Sequence, residues 1–186
     1  MSCAKTKCCG PGYASPKEAM DGPREKVLFV KCPHTKAGGH DMLAAIDVDP
    51  TSETYLSVLS RVDFPHESDE VHHSGWNTCS SCFGNASLKR THLILPCLNS
   101  DRIYIVNVEN ERDMRLEVTI EPELLHEYNI SFPHTAHCLA DGDIMISMLG
   151  DAEGNNKDKP RDYDSIYFVS VRLLLQNMIS IRAMDD

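Results

Sequence analysis

Short apolar runs separated by turn signals dominate the chain from Lys26 onward. Val27–Val30 is one run, Met42–Val48 a second, closed by Asp49-Pro50-Thr51-Ser52, and Tyr55–Val62 alternates loosely as a third. His92–Leu98 and Arg102–Val108 flank Asn99-Ser100-Asp101, and His137–Ala140 and Ile144–Met148 flank Asp141-Gly142-Asp143. Runs of this length bounded by Gly, Pro, Asn and Asp predict strands, and the two flanked turns predict hairpins. Met114–Ile120 adds a further strand. The one helix signal lies at Ser15–Met20, where Ser15 suits a cap and Pro16 the first helical position, before Gly22-Pro23 ends it. Asp151–Asp162 reads as a loop, Ile166–Val171 as β, and Leu173–Ile181 has no clean period and fits strand or helix. The pattern divides the chain into a polar Cys/Gly/Pro-rich segment (1–25), an all-β domain (26–156) and a tail of different character (157–186).

Two stretches look like copies. Ala45–Pro50, a strand, Asp63-Phe64-Pro65 and then His72-His73 are matched, about sixty residues on, by Ile105–Asn110, a strand, Glu121-Pro122 and then His134–His137. Repeated antiparallel units suit a β-propeller, whose inner strands line a central channel. Both histidine clusters would then sit where the chain enters the inner strand of the next unit, at the channel mouth. The plain alternative is two ordinary hairpins with unrelated histidines.

Composition narrows the function. A net charge of -10, from 28 acidic residues against 18 Lys plus Arg, repels phosphate backbones and anionic membranes, so nucleic acid is excluded as the expected partner. The first residues lack the apolar stretch of a secretory signal, and no window approaches a membrane-spanning helix, so the expectation is a cytoplasmic protein without integral membrane association. In that compartment the 8 cysteines are thiols, ligands or reactive groups rather than structural disulfides.

The densest polar constellation is His72-His73-Ser74-Gly75-Trp76-Asn77-Thr78-Cys79-Ser80-Ser81-Cys82. Imidazole nitrogen and thiolate sulfur are good ligands for copper and zinc. Cys79 and Cys82 have the spacing of a metal knuckle or redox pair, yet no second such pair exists to complete a structural zinc site. The surroundings are β rather than the strand–helix context of a thioredoxin-like motif. Surface thiols and a structural Trp are the competing reading. His134-Thr135-Ala136-His137-Cys138 is the second constellation. On a regular strand His134 and His137 face opposite sides and cannot share an ion, unless a bend intervenes. Cys8 and Cys9 are vicinal thiols able to bind soft ions or selenium species, or exposed thiols with no role.

Several of these residues resemble one family. Cys9–Tyr13, Gly22–Glu25, Asp47–Pro50, the run His72–Gly84, Arg102-Ile103-Tyr104 and His134–Leu139 are similar to the selenium-binding protein family, also called methanethiol oxidases. The resemblance runs from about Cys8 to about Asn155. It implies a seven-bladed β-propeller, of which this chain would form about two and a half blades, unclosed. It implies oxidation of methanethiol by oxygen and water to formaldehyde, hydrogen sulfide and hydrogen peroxide at a copper centre. It also implies selenium held on cysteine, and a cytosolic and nuclear location with peripheral membrane association and a role in intra-Golgi transport. Carried onto this chain, the metal candidates are His72, His73, His134 and His137, and the selenium or thiol candidates are Cys79, Cys82, Cys8 and Cys9.

Three departures stand out. The family chain is more than twice as long, so most blades, and the strand that completes the first blade, are missing. Leu56 stands where the family carries its selenium cysteine. From about Lys157 the sequence ceases to resemble the family. The readings this leaves are a copper-dependent thiol oxidase, a non-catalytic thiol protein holding selenium or a soft metal, and an inactive truncation product.

Overall fold

The computed structural model describes residues 10–36, 38–155, 167–174 and 178–183. Three antiparallel sheets follow one another along the chain. The first contains β1 (Val27–Cys32), β2 (His40–Asp47) and β3 (Val58–Glu67) in the order β1-β2-β3. The second contains β4 (Gly75–Trp76), β5 (His92–Pro96), β6 (Ile103–Asn107) and β7 (Arg115–Ile120), ordered β4-β5-β6-β7. The third contains β8 (Ser131–Cys138), β9 (Ile144–Gly150), β10 (Tyr167–Leu174) and β11 (Met178–Ala183), ordered β8-β9-β10-β11. A helical turn α1 (Pro16–Met20) precedes the sheets, with the Ser15 hydroxyl accepting from the Glu18 N–H. A second turn, α2 (Pro122–His126), leads into the third sheet.

The middle strands explain why the sequence shows continuous apolar runs instead of strict alternation. Leu93 and Leu95 of β5, with Tyr104 and Val106 of β6, join Leu43, Ala45, Val62 and Phe64 of the first sheet in one core. Ile94 of β5, with Ile103 and Ile105 of β6, joins Ala136, Cys138, Ile144, Ile146 and Met148 of the third sheet in another. Successive side chains of a strand point to opposite faces, so both faces of the second sheet are interior. Tyr104 stacks on Phe64 with ring centroids 4.5 Å apart and an interplanar angle of 9°. Sheets stacked face to face, each entered from the outer strand of the one before, are consecutive propeller blades. The fold is a partial β-propeller, unclosed among the described residues.

The structure departs from the sequence reading at particular places. The first β3 residue is Val58, so Tyr55 and Leu56 lie in the turn before it, Leu56 with φ 64° and an exposed side chain. That turn is tied to the Asp47 carboxylate, which accepts from Ser52 Oγ at 2.5 Å and Thr54 Oγ1 at 2.6 Å. β3 also runs through Pro65 to Glu67, past the Val62 end of the strand read from the sequence. The register against β2 shifts there, between Met42↔Asp63 and His40↔Glu67, and a bulged outer strand tolerates a residue without an N–H. Glu121-Pro122, where the sequence carried no helix signal, opens α2, whose Leu125 is fully buried. The run from Leu173 contributes to strands β10 and β11, and β10 pairs with β9 from Tyr167↔Met148 to Val171↔Ile144.

Two buried carboxylates fix the link between the first and second sheets. Asp41 of β2 is 1% exposed and accepts from the His34 N–H and the Val71 N–H, each at 2.6 Å. Asp69 is fully buried, accepts from the Tyr104 hydroxyl at 2.6 Å and faces the Arg102 guanidinium at 3.5 Å. Burial, then the neighbouring carboxylate, pushes the Tyr104 hydroxyl far above its ordinary pKa, so it stays a donor at every accessible pH. Asp41→Ala leaves the buried Val71 N–H without its acceptor. Such an orphan costs about 1–3 kcal/mol, so the variant is expected to lower the urea midpoint by that much at unchanged slope; an unchanged midpoint refutes the pinning role.

Candidate metal centre

The pinned link carries the chain straight to a cluster of imidazoles. Val71 is fully buried, so His72 and His73 emerge from a fixed point. Gly75 then opens β4 with its backbone against the Ala136 carbonyl of β8. A Cβ there would stand 2.3 Å from that oxygen, so only glycine permits the approach. On the other side, β8 carries a bulge: Pro133 pairs with Met148, but Ala136 pairs with Ile146, leaving one extra residue at His134-Thr135. The Thr135 N–H donates to Ser147 Oγ at 3.0 Å across the bulge. A bulge re-aims side chains, and here His134 turns toward the histidine pair.

His72 Nε2 and His134 Nε2 lie 3.3 Å apart, although 62 positions separate them in sequence. Ring centroids are 4.7 Å apart for His72–His73, 5.2 Å for His72–His134 and 4.0 Å for His73–His134. One nitrogen from each ring can be chosen so that all lie within 4.8 Å of one another, and all three residues are partly buried. Two nitrogens bound to one tetrahedral ion at about 2.0–2.1 Å stand roughly 3.3 Å apart, so the His72–His134 pair already fits a metal edge.

The outer nitrogens are held as a ligand set requires. His72 Nδ1 is 3.4 Å from Glu70 Oε1, and His134 Nδ1 is 3.0 Å from Thr135 Oγ1. Partners on Nδ1 fix the ring and leave Nε2 free for an ion. Burial, then the neighbouring His134 and His72 rings and Lys31, holds the His73 imidazole below its ordinary pKa. Burial and His72 do the same for His134. Both rings are therefore neutral near pH 7, the form that binds metal. Three imidazoles with nitrogens within 4.8 Å of one another are a donor set able to hold a zinc or copper ion, one ligand short of the four that a structural zinc site uses.

Of the other residues singled out in the sequence, His137 is exposed on β8 and stands outside the group of three. Cys79 precedes and Cys82 ends a 3-10 turn at Ser80–Cys82; Cys79 is partly buried and Cys82 buried. Cys8 and Cys9 lie outside the described residues. Glu70, Thr135 and Ser81 were missed. A carboxylate two positions before a histidine pair was the available signal for Glu70; nothing in the sequence announced the bulge that recruits Thr135.

The model of the 56 kDa selenium-binding protein family matches residues 7–168, beyond the Lys157 boundary read from the sequence. The chain is 51% identical over 158 residues to the methanethiol oxidases of Pongo abelii and Homo sapiens, and 50% identical to selenium-binding protein 2 of Mus musculus. These alignments cover 82% of this chain and 34% of each relative, so the chain spans about a third of the length of the curated relatives it matches. An X-ray structure described as a hypothetical selenium-binding protein from Sulfolobus tokodaii superposes with a TM-score of 0.73 at 38% identity, covering 86% of this chain and 35% of that one.

The cluster makes a direct prediction. His72→Ala and His134→Ala should each abolish tight copper or zinc binding in a chelator competition, His137→Ala should leave it intact, and Glu70→Gln should weaken it by about 10–100-fold. Protons compete with the ion. Because the His73 and His134 pKa values are lowered, affinity should persist below the ordinary imidazole range near pH 6.5 and fall only at more acidic pH. Equal loss in His137→Ala would place the site elsewhere.

Proposed function

We propose, because this chain belongs to the 56 kDa selenium-binding protein family, that it carries a copper-binding portion of a site that oxidises a small thiol. The reaction assigned is methanethiol, oxygen and water to formaldehyde, hydrogen sulfide and hydrogen peroxide. The observation that carries the reading is the convergence of His72, His73 and His134. Copper held there would supply an open coordination position for a thiolate and a centre for electron transfer to oxygen.

The residues of the chain perform the remaining work. Glu70 Oε1 sits against His72 Nδ1 and Thr135 Oγ1 against His134 Nδ1, orienting both rings toward the shared position. Partial burial keeps the His73 and His134 rings unprotonated as a thiol approaches. Lys31, bonded through Nζ to Ser74 Oγ at 3.2 Å, places a cation near the rings, which favours an anionic sulfur ligand.

A second reading follows from the thiols. Cys79 is partly exposed and its thiol pKa is lowered, which favours the thiolate that attacks or binds a selenium species. Thiol titration before and after selenite decides for it: a count that does not fall removes it.

The oxidase reading is tested by loading the purified chain with copper, adding methanethiol and measuring peroxide. Bound copper with peroxide release that disappears in His134→Ala is the expected result. Copper binding without peroxide would reduce the reading to metal binding, and absence of both would end it.

A further inference from the structure

The spacing of Cys79 and Cys82 suggests that these two form a thiol pair, but the structure also brings Cys138 to the hydroxyl that Cys79 contacts. The loop from Thr78 to Arg90 is closed at its base by Asn77, whose side chain donates to the Lys89 carbonyl at 3.1 Å and accepts from the Thr91 and His92 N–H groups at 3.0 and 3.1 Å. Within it, the Ser81 hydroxyl donates to the Cys138 carbonyl of β8 at 3.0 Å. The same oxygen is 3.2 Å from Cys79 Sγ, 3.5 Å from Cys138 Sγ and 3.8 Å from Cys82 Sγ. Cys79 Sγ and Cys138 Sγ thus face one another across a single shared neighbour, the Ser81 hydroxyl. Cys82 instead directs its thiol to the Leu139 carbonyl at 3.4 Å.

We propose that Cys79 and Cys138 form a reversible redox pair, in which a peroxide oxidises Cys79 and Cys138 closes a disulfide that ties the Thr78–Arg90 loop to β8. The site does not rest on copper or on the oxidase reading. Exposure is divided as such a pair requires: Cys79 is partly open, whereas Cys138 is 1% exposed and reacts only with what the loop brings to it. Burial raises the Cys79 thiol, but hydrogen bonds from Cys138 and Ser81 and the Arg90 charge outweigh it and hold the group below its ordinary pKa. Burial and the neighbouring Cys79 push Cys138 up, so Cys138 is the proton donor of the two.

The chemistry balances. The Cys79 thiolate attacks one peroxide oxygen, forming an S–O bond as the O–O bond breaks, and the departing oxygen takes a proton to leave as water or an alcohol. Cys138 sulfur then attacks the sulfenic sulfur, forming the S–S bond. The S–O bond breaks and hydroxide leaves as water with the Cys138 proton. Two thiols lose two electrons and one peroxide gains them.

The test treats the purified chain with equimolar hydrogen peroxide, blocks free thiols with N-ethylmaleimide and maps tryptic peptides without reduction. The expected result is loss of two of the 8 thiols and one cross-linked species joining the Cys79 peptide to the Cys138 peptide, reversed by dithiothreitol. Cys82→Ser should give the same cross-link. Cys138→Ser should give none, and its Cys79 should be captured by dimedone as sulfenic acid. A Cys79–Cys82 link within one peptide, a link from Cys79 to another cysteine, or loss of the cross-link in Cys82→Ser overturns the proposal. If Cys138→Ser fails to fold, the cross-link in Cys82→Ser decides, because residues 62–89 form one tryptic peptide that carries both Cys79 and Cys82.

Discussion

The structure depends on how the link between the first and second sheets is held. A loop that crosses from the outer strand of one sheet to the inner strand of the next has no ladder of its own, so its buried N–H groups must find acceptors elsewhere. Here the acceptors are carboxylates inside the protein. Asp41 accepts from Val71, and Asp69 is held by Tyr104 and Arg102 while its own carbonyl accepts from the Asn99 N–H at 3.2 Å. Charge buried at this depth is tolerated only when paired. Because every partner lies on a strand or at its end, the link cannot shift without disturbing the interior of two sheets. His72 and His73 inherit that fixity.

Convergence also requires two local exceptions to regular β structure. Gly75 lets β4 lie against the Ala136 carbonyl, and the bulge at His134-Thr135 breaks the alternation of β8. With either feature absent, imidazoles from adjacent sheets would sit at opposite edges of the gap. The rings that result share one electrostatic character. Being close and partly buried, they oppose protonation of one another, which leaves nitrogen lone pairs facing a common point. Under the metal-binding proposal, an ion held there would satisfy all three at once.

Much of this was legible in the sequence, for stated reasons. The hairpins around Asn99-Ser100-Asp101 and Asp141-Gly142-Asp143 were visible because turn chemistry is local: Gly142 takes φ 92° and Asp141 accepts from the Asp143 N–H at 3.1 Å. The offset between His72 and His134 was visible because each blade repeats the same path. What escaped was non-local. Pro65 survives in β3 because a register shift accommodates it, and α2 needs the buried Leu125 to anchor five residues that are otherwise too few for a helix. The Cys79-x-x-Cys82 spacing does not show the 3-10 turn at Ser80–Cys82, which directs the Cys82 thiol to the Leu139 carbonyl and leaves Cys79 Sγ beside Ser81 Oγ.

One strand serves both groups of reactive side chains. β8 delivers His134 to the imidazoles and, four positions later, Cys138 to the thiols, while the intervening His137 faces solvent. After the bulge the strand resumes a period of two, so Ala136 and Cys138 turn inward together and His137 outward. A residue inserted or lost at His134-Thr135 would reverse that parity, exchanging Cys138 for His137 against the Ser81 loop. The bulge therefore sets the distance between the histidine cluster and the thiols as well as the aim of His134. Its register against Met148 and Ile146 is the feature on which the placement of both groups turns.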